Sequence, residues 1–363
     1  MKRVLLLIPS TLKTDIAVEV ANDRHPRMDY DALADGLRAA GVEVDSMGYA
    51  EMEADTHPLV RLARRAGRDA ALAMVGFVRR VRYDAVFTNG ENVGIPLALL
   101  LKTVARRPGH VTIGHKPSTG KKRVFFRTLR ADRQMDTLFV YARTQHDFAR
   151  DRLHIAPARL RLFHFHADDR FYRPLPDRPT DPALLCAAGL EWRDYPTLIE
   201  AVREMPAVRV RLAAASPWSK HNDETANRTL PENVDARRYE YNELRELYAR
   251  SAFVVVPLYE NDFQAGITTV LEAMAMAKAV IVTRTTGQRD VIVDGENGLT
   301  VAPGDVAGWR AAIDRLHADS DLRERLGRNA RAWVERHATL DRWVGDIIQA
   351  LESSCSSARN TKL

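Results

Sequence analysis

Between positions 264 and 272 stand groups able to handle a phosphorylated ligand: Gly266, the backbone amides of Ile267, Thr268 and Thr269, and the carboxylate of Glu272. Glycine carries no Cβ, so the chain at Gly266 can approach a ligand closely. The three amides that follow stand at an expected helix start, where unpaired N–H groups and the helix dipole favour an anion. Glu272 lies about one turn farther on and cannot bind phosphate. A carboxylate there can instead accept hydrogen bonds from ribose hydroxyls, as the acidic residue of a dinucleotide site does. Together these groups suggest recognition of a nucleoside diphosphate. An ordinary loop glycine and a helix-surface acid fit the same spacing equally well.

The surrounding sequence supplies elements to position them. An apolar, β-branched run from 253 ends at Pro257 and suits a buried parallel strand. The spacing predicts a helix over 268–277 and a second strand over 279–283. Gly287 and the turns Asp294-Gly295 and Asn297-Gly298 follow. Strand, loop, helix and strand make a βαβ unit, whose ligands sit at the carboxyl ends of the strands.

The same residues carry a family resemblance. Gln264, seven residues, Glu272, then Ala273-Met274-Ala275, Gly287 with Asp290, Asp294-Gly295 with Gly298, and Pro303-Gly304-Asp305 run in that order. This segment resembles the C-terminal domain of retaining GT-B glycosyltransferases of the family 4 type. It departs from their pattern at Gln264, where Glu is usual, and at Thr286-Gly287, which replaces a glycine pair. About three extra residues stand between Pro257 and Gln264. The resemblance implies an α/β fold of two doubly wound Rossmann-like domains facing an interdomain cleft.

Composition agrees with two domains. The chain has 363 residues, 45% of them hydrophobic, enough for two full cores. The apolar run within MKRVLLLIPS is too short for a signal peptide and reads as a first strand over 4–8. No stretch is long and apolar enough to predict a membrane span. Two cysteines, Cys186 and Cys355, exclude a disulfide framework or a cysteine-based zinc site and fit a reducing cytoplasm. The net charge of +6 favours anionic ligands or an anionic surface but is too mild to indicate nucleic acid.

The N-terminal half repeats the alternation. A helix is expected over 29–40, stopped at Gly41, with strands over 42–44, 85–88, 110–114, 138–141 and 161–165. The expected domains are 1–173 for an acceptor, 174–183 as a Pro-punctuated linker, and 184–339 for the donor. A last helix over 340–352 resembles the one that returns to the first domain in GT-B enzymes, and 353–363 reads as a disordered tail. The segment 166–174 resembles the interdomain signature of the family. Positions 61–82 hold seven arginines and one acid. They suit either a core-packed helix with a basic outer face or peripheral contact with the inner membrane surface.

The resemblance also implies roles. His115, after the 110–114 strand, would contact the donor sugar, although a satisfied loop histidine fits the residue alone. Read from the residues alone, the basic loop of Lys116 suits an acidic acceptor, donor phosphates or a solvated face equally, and Glu91, at the end of the 85–88 strand, suits an acceptor contact; the resemblance places Gln264 at the donor-sugar hydroxyls. Ala188 stands where the family carries Arg, and Arg193 replaces its Lys. Arg193 can still grip diphosphate bidentately, with Lys220 supplying the missing charge. Tyr239 falls where relatives hold the base. The expected reaction moves a sugar from a nucleoside diphosphate donor to an acceptor, either a small metabolite, a glycan or a lipid, with retention and without metal or other cofactor. A degenerate member that binds a nucleotide or partner without turnover is the alternative, and a phosphorylase or epimerase ranks last.

Overall fold

The computed structural model describes residues 1–13, 16–213 and 230–359. The chain divides into two compact units. The first comprises Met1–Ile16, Met28–Phe163 and Asp341–Leu363, and the second Ala17–Arg27 and His164–Leu340.

The first unit is built on a wholly parallel sheet of β1 (Arg3–Leu7), β2 (Glu43–Met47), β3 (Ala85–Thr88), β4 (Gly109–Gly114), β5 (Thr137–Val140) and β6 (Leu160–Leu162), ordered β2-β1-β3-β4-β5-β6. The direction of winding reverses between β1 and β3, so the unit's switch point lies at their carboxyl ends. Strands β3, β4 and β5 are buried throughout, including His110 and Thr112 of β4, as expected of a parallel sheet covered on both faces.

The basic segment around 61–82 is not one helix. Gly67, at φ +113°, separates Pro58–Ala63 from Arg68–Arg79. The second helix buries Ala71, Leu72, Ala73, Val75 and Gly76. Arg64 donates to the carbonyls of Met52, Glu53 and Asp55, and Arg79 pairs with Asp55 at 2.6 Å. The apolar side of the segment thus packs into the core of the unit. None of the described helices is long and apolar enough to cross a membrane.

The second unit holds a second parallel sheet, of β7 (Asp181–Ala188), β8 (Arg209–Ala213), β9 (Val234–Arg237), β10 (Ser251–Val256), β11 (Ala279–Thr283) and β12 (Leu299–Val301), ordered β12-β11-β10-β7-β8-β9. Its switch point falls between β7 and β10. Every residue of β10 is buried, and the helix Ile267–Ala275 that follows buries eight of its nine residues. This strand–helix pair is the most enclosed part of the unit.

Three boundaries differ from expectation. Residues 164–173 belong to the second unit, as does the early segment Ala17–Arg27. Arg27 is held there by Asp168, with Nη2–Oδ1 2.7 Å and its backbone amide at 2.8 Å from Oδ2. Asp23 is held there by Arg173 at 2.8 Å and Arg245 at 2.8 Å. Strand β7 takes up Asp181 to Ala183, residues expected as linker and its junction. The last helix runs Leu340–Arg359 rather than ending before a disordered tail at 353. Its apolar spacing continues through Ser354 and Cys355, both buried, and Ser354 fills the space where a Cβ on Gly109 would stand. From Asp341 on, this helix belongs to the first unit, where Trp343 meets Phe87 edge-on at 6.4 Å.

Candidate functional site

The groups picked out around Gly266 converge at the switch point of the second sheet. Gly266 caps the helix Ile267–Ala275 with φ +74°, a conformation costly for any residue with a Cβ. A side chain there would also press Val256 Cγ1 at 2.9 Å and Arg193 Nη1 at 3.1 Å. The amides of Ile267, Thr268 and Thr269 therefore head a helix whose start lies beside the carboxyl end of β10. This is the arrangement expected of an anion site.

Arg193 lies against this helix start. It is only 8% exposed, and its guanidinium donates to the carbonyls of Ala188 and Glu191, both at 2.8 Å, and to Thr269 Oγ1 at 3.2 Å. Gly189 makes room for it, because a Cβ there would collide with the guanidinium. Burial pulls the Arg193 pKa below the ordinary arginine value. Among the described residues no carboxylate comes within ion-pair distance of it. A buried cation held by neutral dipoles is short of compensating charge, and an anion at the neighbouring helix start would supply it. The role of Gly189 escaped sequence reasoning, though its place directly after an apolar strand was a usable signal.

Glu272 is buried one turn along the same helix and accepts a hydrogen bond from Tyr248 Oη at 3.0 Å. Burial pushes its pKa up to about 7, against the pull of the Tyr172 and Tyr248 hydroxyls and of Arg193. Tyr248, 24 residues earlier in the chain, was not anticipated as its partner. Because the folded value lies above the ordinary value of 4.5, the folded protein binds more protons between those two values. Donor-free stability therefore falls as pH rises from about 4.5 to about 7. If ribose hydroxyls donate to this carboxylate, affinity for a nucleotide sugar should rise across pH 7. Calorimetric titration at pH 6 and pH 8 should show that rise, and Glu272→Gln should flatten it.

Gln264 stands on the loop before Gly266. It is 7% exposed, and among the described residues neither its amide nitrogen nor its oxygen has a partner. The loop is fixed around it: Gln288 Nε2 donates to Ala265 O at 2.8 Å and Gly287 N to Asn261 O at 2.9 Å. Gly287 is required there, since a Cβ would overlap the Phe263 backbone. An unpaired buried amide on a pinned loop is a costly feature that a hydroxylated ligand would relieve.

Two other donor-side expectations fare differently. Lys220 lies outside the described residues, as does Trp218. Tyr239 sits beneath Arg237, whose guanidinium lies 4.1 Å from its ring centroid. It lines a cavity of about 390 Å³ that reaches Asp181 at the start of β7. No described hydrogen bond or ring contact links it to Arg193, Gly266 or Glu272.

On the first unit, His115 follows β4, and a Cβ on Gly90 would lie 3.8 Å from its ring and 3.6 Å from Pro9. The ring therefore lies near the β1/β3 switch point. It tilts over Tyr141 at 5.6 Å, and Gln145 Nε2 donates to its carbonyl at 2.6 Å. Glu91, expected to meet an acceptor, is instead 2% exposed with both oxygens occupied. It accepts from the amides of His115 at 2.8 Å and Lys116 at 2.9 Å and from Lys122 Nζ at 2.5 Å. Burial alone would raise its pKa, but His115, Lys122 and the Lys116 amide together hold it low. Glu91 thus fixes the shape of the loop that presents His115 and Lys116, and its burial leaves no free oxygen for a ligand.

Two parallel six-stranded sheets, each flanked by helices, make the GT-B fold. A glycosyltransferase from Rickettsia africae superposes with a TM-score of 0.72 over 97% of this chain and 98% of its own, at 14% identity. HepE of Anabaena, solved with UDP-glucose, does so with a TM-score of 0.68 over 96% and 100%, also at 14% identity. Residues 181–319 match the family described as glycosyl transferases group 1. The lipopolysaccharide core biosynthesis glycosyltransferase LpsE of Rhizobium meliloti is 30% identical over 152 residues, 41% of this chain. The match spans 44% of the length of LpsE.

Proposed function

We propose that the chain is a group 1 glycosyltransferase of the retaining, family 4 type, transferring a sugar from a nucleoside diphosphate donor without a metal ion. The observation that carries this reading is Arg193, a buried guanidinium with no carboxylate partner among the described residues, set between Gly189 and Gly266 at the switch point of the second sheet. It is supported by the match of residues 181–319 to group 1 enzymes and by the fold shared with HepE, which was solved with UDP and UDP-glucose.

In the proposed reaction the bond from the anomeric carbon to the diphosphate oxygen breaks, and a bond to the acceptor oxygen forms on the same face. The departing phosphate oxygen takes the acceptor proton, so the protein need not supply a strong base. Its contribution is to position the partners and stabilise the charge growing on the diphosphate. Arg193 and the amides of Ile267, Thr268 and Thr269 serve that charge. Glu272 holds the ribose, and the unpaired Gln264 amide meets hydroxyls of the donor sugar. The His115–Lys116 loop serves the transferred sugar and the acceptor. The test is transfer from a panel of nucleotide sugars in EDTA, with the product's anomeric configuration read by NMR. Retained configuration with undiminished turnover supports the reading. Inversion, or activity restored only by metal, contradicts it.

A further inference from the structure

A second anion-binding feature lies on the first unit and is used by none of the groups above. Between the helices Gly120–Arg127 and Arg143–Asp151 is a cavity of about 470 Å³ lined by Arg123, Arg127, Phe148 and Arg152. Its floor is aromatic: the Arg123 guanidinium rests 5.2 Å from the Phe148 ring centroid, which limits the freedom of that cation. Arg127 and Arg152 complete three sides, and among the described residues neither has a carboxylate within ion-pair distance. The nearest acids in sequence are already engaged. Asp151 takes Arg150 at 2.7 Å, and Asp147 takes Arg150 at 3.2 Å and His146 at 3.4 Å. The cavity thus concentrates positive charge, offset in part by Asp151, whose carboxylate is also drawn low by Arg152.

We infer that this cavity binds a phosphate group carried by a ligand whose remainder lies against Phe148. Guanidinium forks match the oxygens of a phosphate, and several together bind it better than point charges do. The Phe148 ring in its lining suits an apolar or sugar-like body attached to that phosphate. A soluble phosphomonoester and a phospholipid headgroup present the same chemistry. The inference is independent of the donor assignment, since Arg193 and Glu272 belong to the other unit.

The test compares the full chain with Arg127→Glu/Arg152→Glu and with Arg61→Glu, a change at another exposed arginine of the first unit. Calorimetry with sn-glycerol 3-phosphate probes the soluble source. Flotation with phosphatidylcholine vesicles, with and without phosphatidate, probes the headgroup. The expected result is saturable binding to at least one probe by the wild type and Arg61→Glu, weakened about tenfold or more in the double variant, as loss of charge-assisted contacts implies. Binding to glycerol 3-phosphate alone would mark a soluble ligand, and binding to phosphatidate vesicles alone a lipid headgroup. The inference is overturned if neither probe binds, if the double variant binds as the wild type does, or if Arg61→Glu loses as much. Should the charge reversals lower the melting temperature, Arg127→Gln alone replaces them under the same criteria.

Discussion

Replacing Arg193 by methionine is expected to reduce turnover about 10²–10³-fold, the usual effect of removing one preorganised donor to a developing negative charge. The expected effect on folding is far smaller. Arg193 is buried without an ion-pair partner, so its desolvation opposes the folded state, and an unbranched apolar side chain of similar length removes that cost. Its loss also leaves acceptors behind at Ala188 and Glu191, although Thr269 Oγ1 still donates to the Ala188 carbonyl at 3.4 Å. These effects oppose one another, and donor-free stability should change by no more than about 1–2 kcal/mol. Thermal unfolding with and without UDP separates the two quantities. The variant should keep its melting temperature and lose its response to nucleotide. Retained response with retained turnover would remove Arg193 from the site.

Glu91 carries the second large prediction, of the opposite kind. Here a buried carboxylate satisfies two backbone amides and a lysine, so Glu91→Ala leaves Lys122 and the His115 and Lys116 amides without their acceptor. Breaking a buried pair in this way costs about 3–5 kcal/mol. Glu91→Gln keeps the shape but turns an NH2 group towards a donor, so the His115 loop should shift while the unit remains folded. Turnover should fall and UDP affinity should stay unchanged, because this loop serves the transferred sugar and the acceptor, neither of which UDP carries. The pH dependence follows from the lowered pKa of Glu91. Its stabilisation is present above the unfolded value and is lost as pH falls through the lower folded value. Acid unfolding of Glu91→Gln should therefore be less steep than that of the wild type. Equal turnover in wild type and Glu91→Gln would show that the loop does not need this anchor.

The donor-side βαβ unit was legible in sequence because burial on both faces leaves an uninterrupted apolar run, as in 253–257, and because Gly266 and Glu272 fall at fixed offsets along one helix. The importance of Arg193 was legible through the family resemblance. Its isolation from acids was not, because that depends on which side chains the fold brings near it. The same limit explains Glu91, whose place at the end of β3 suggested exposure. Its burial arises from the loop of His115 and from Lys122, 31 residues away. Nor could local pattern assign Ala17–Arg27 to the second unit, since Arg27 is held by Asp168, 141 residues later. The helical continuation through Ser354 and Cys355 was readable from apolar spacing but was masked by the serine-rich composition.

The central claim is that the Arg193–Gly266–Glu272 cluster binds a nucleoside diphosphate. Calorimetric titration of the full chain with UDP, GDP and ADP in EDTA tests it most directly. Saturable binding of at least one of them is expected, abolished by Arg193→Met and preserved by Glu91→Gln. Absence of binding to all three, or binding that survives the loss of Arg193, would contradict it.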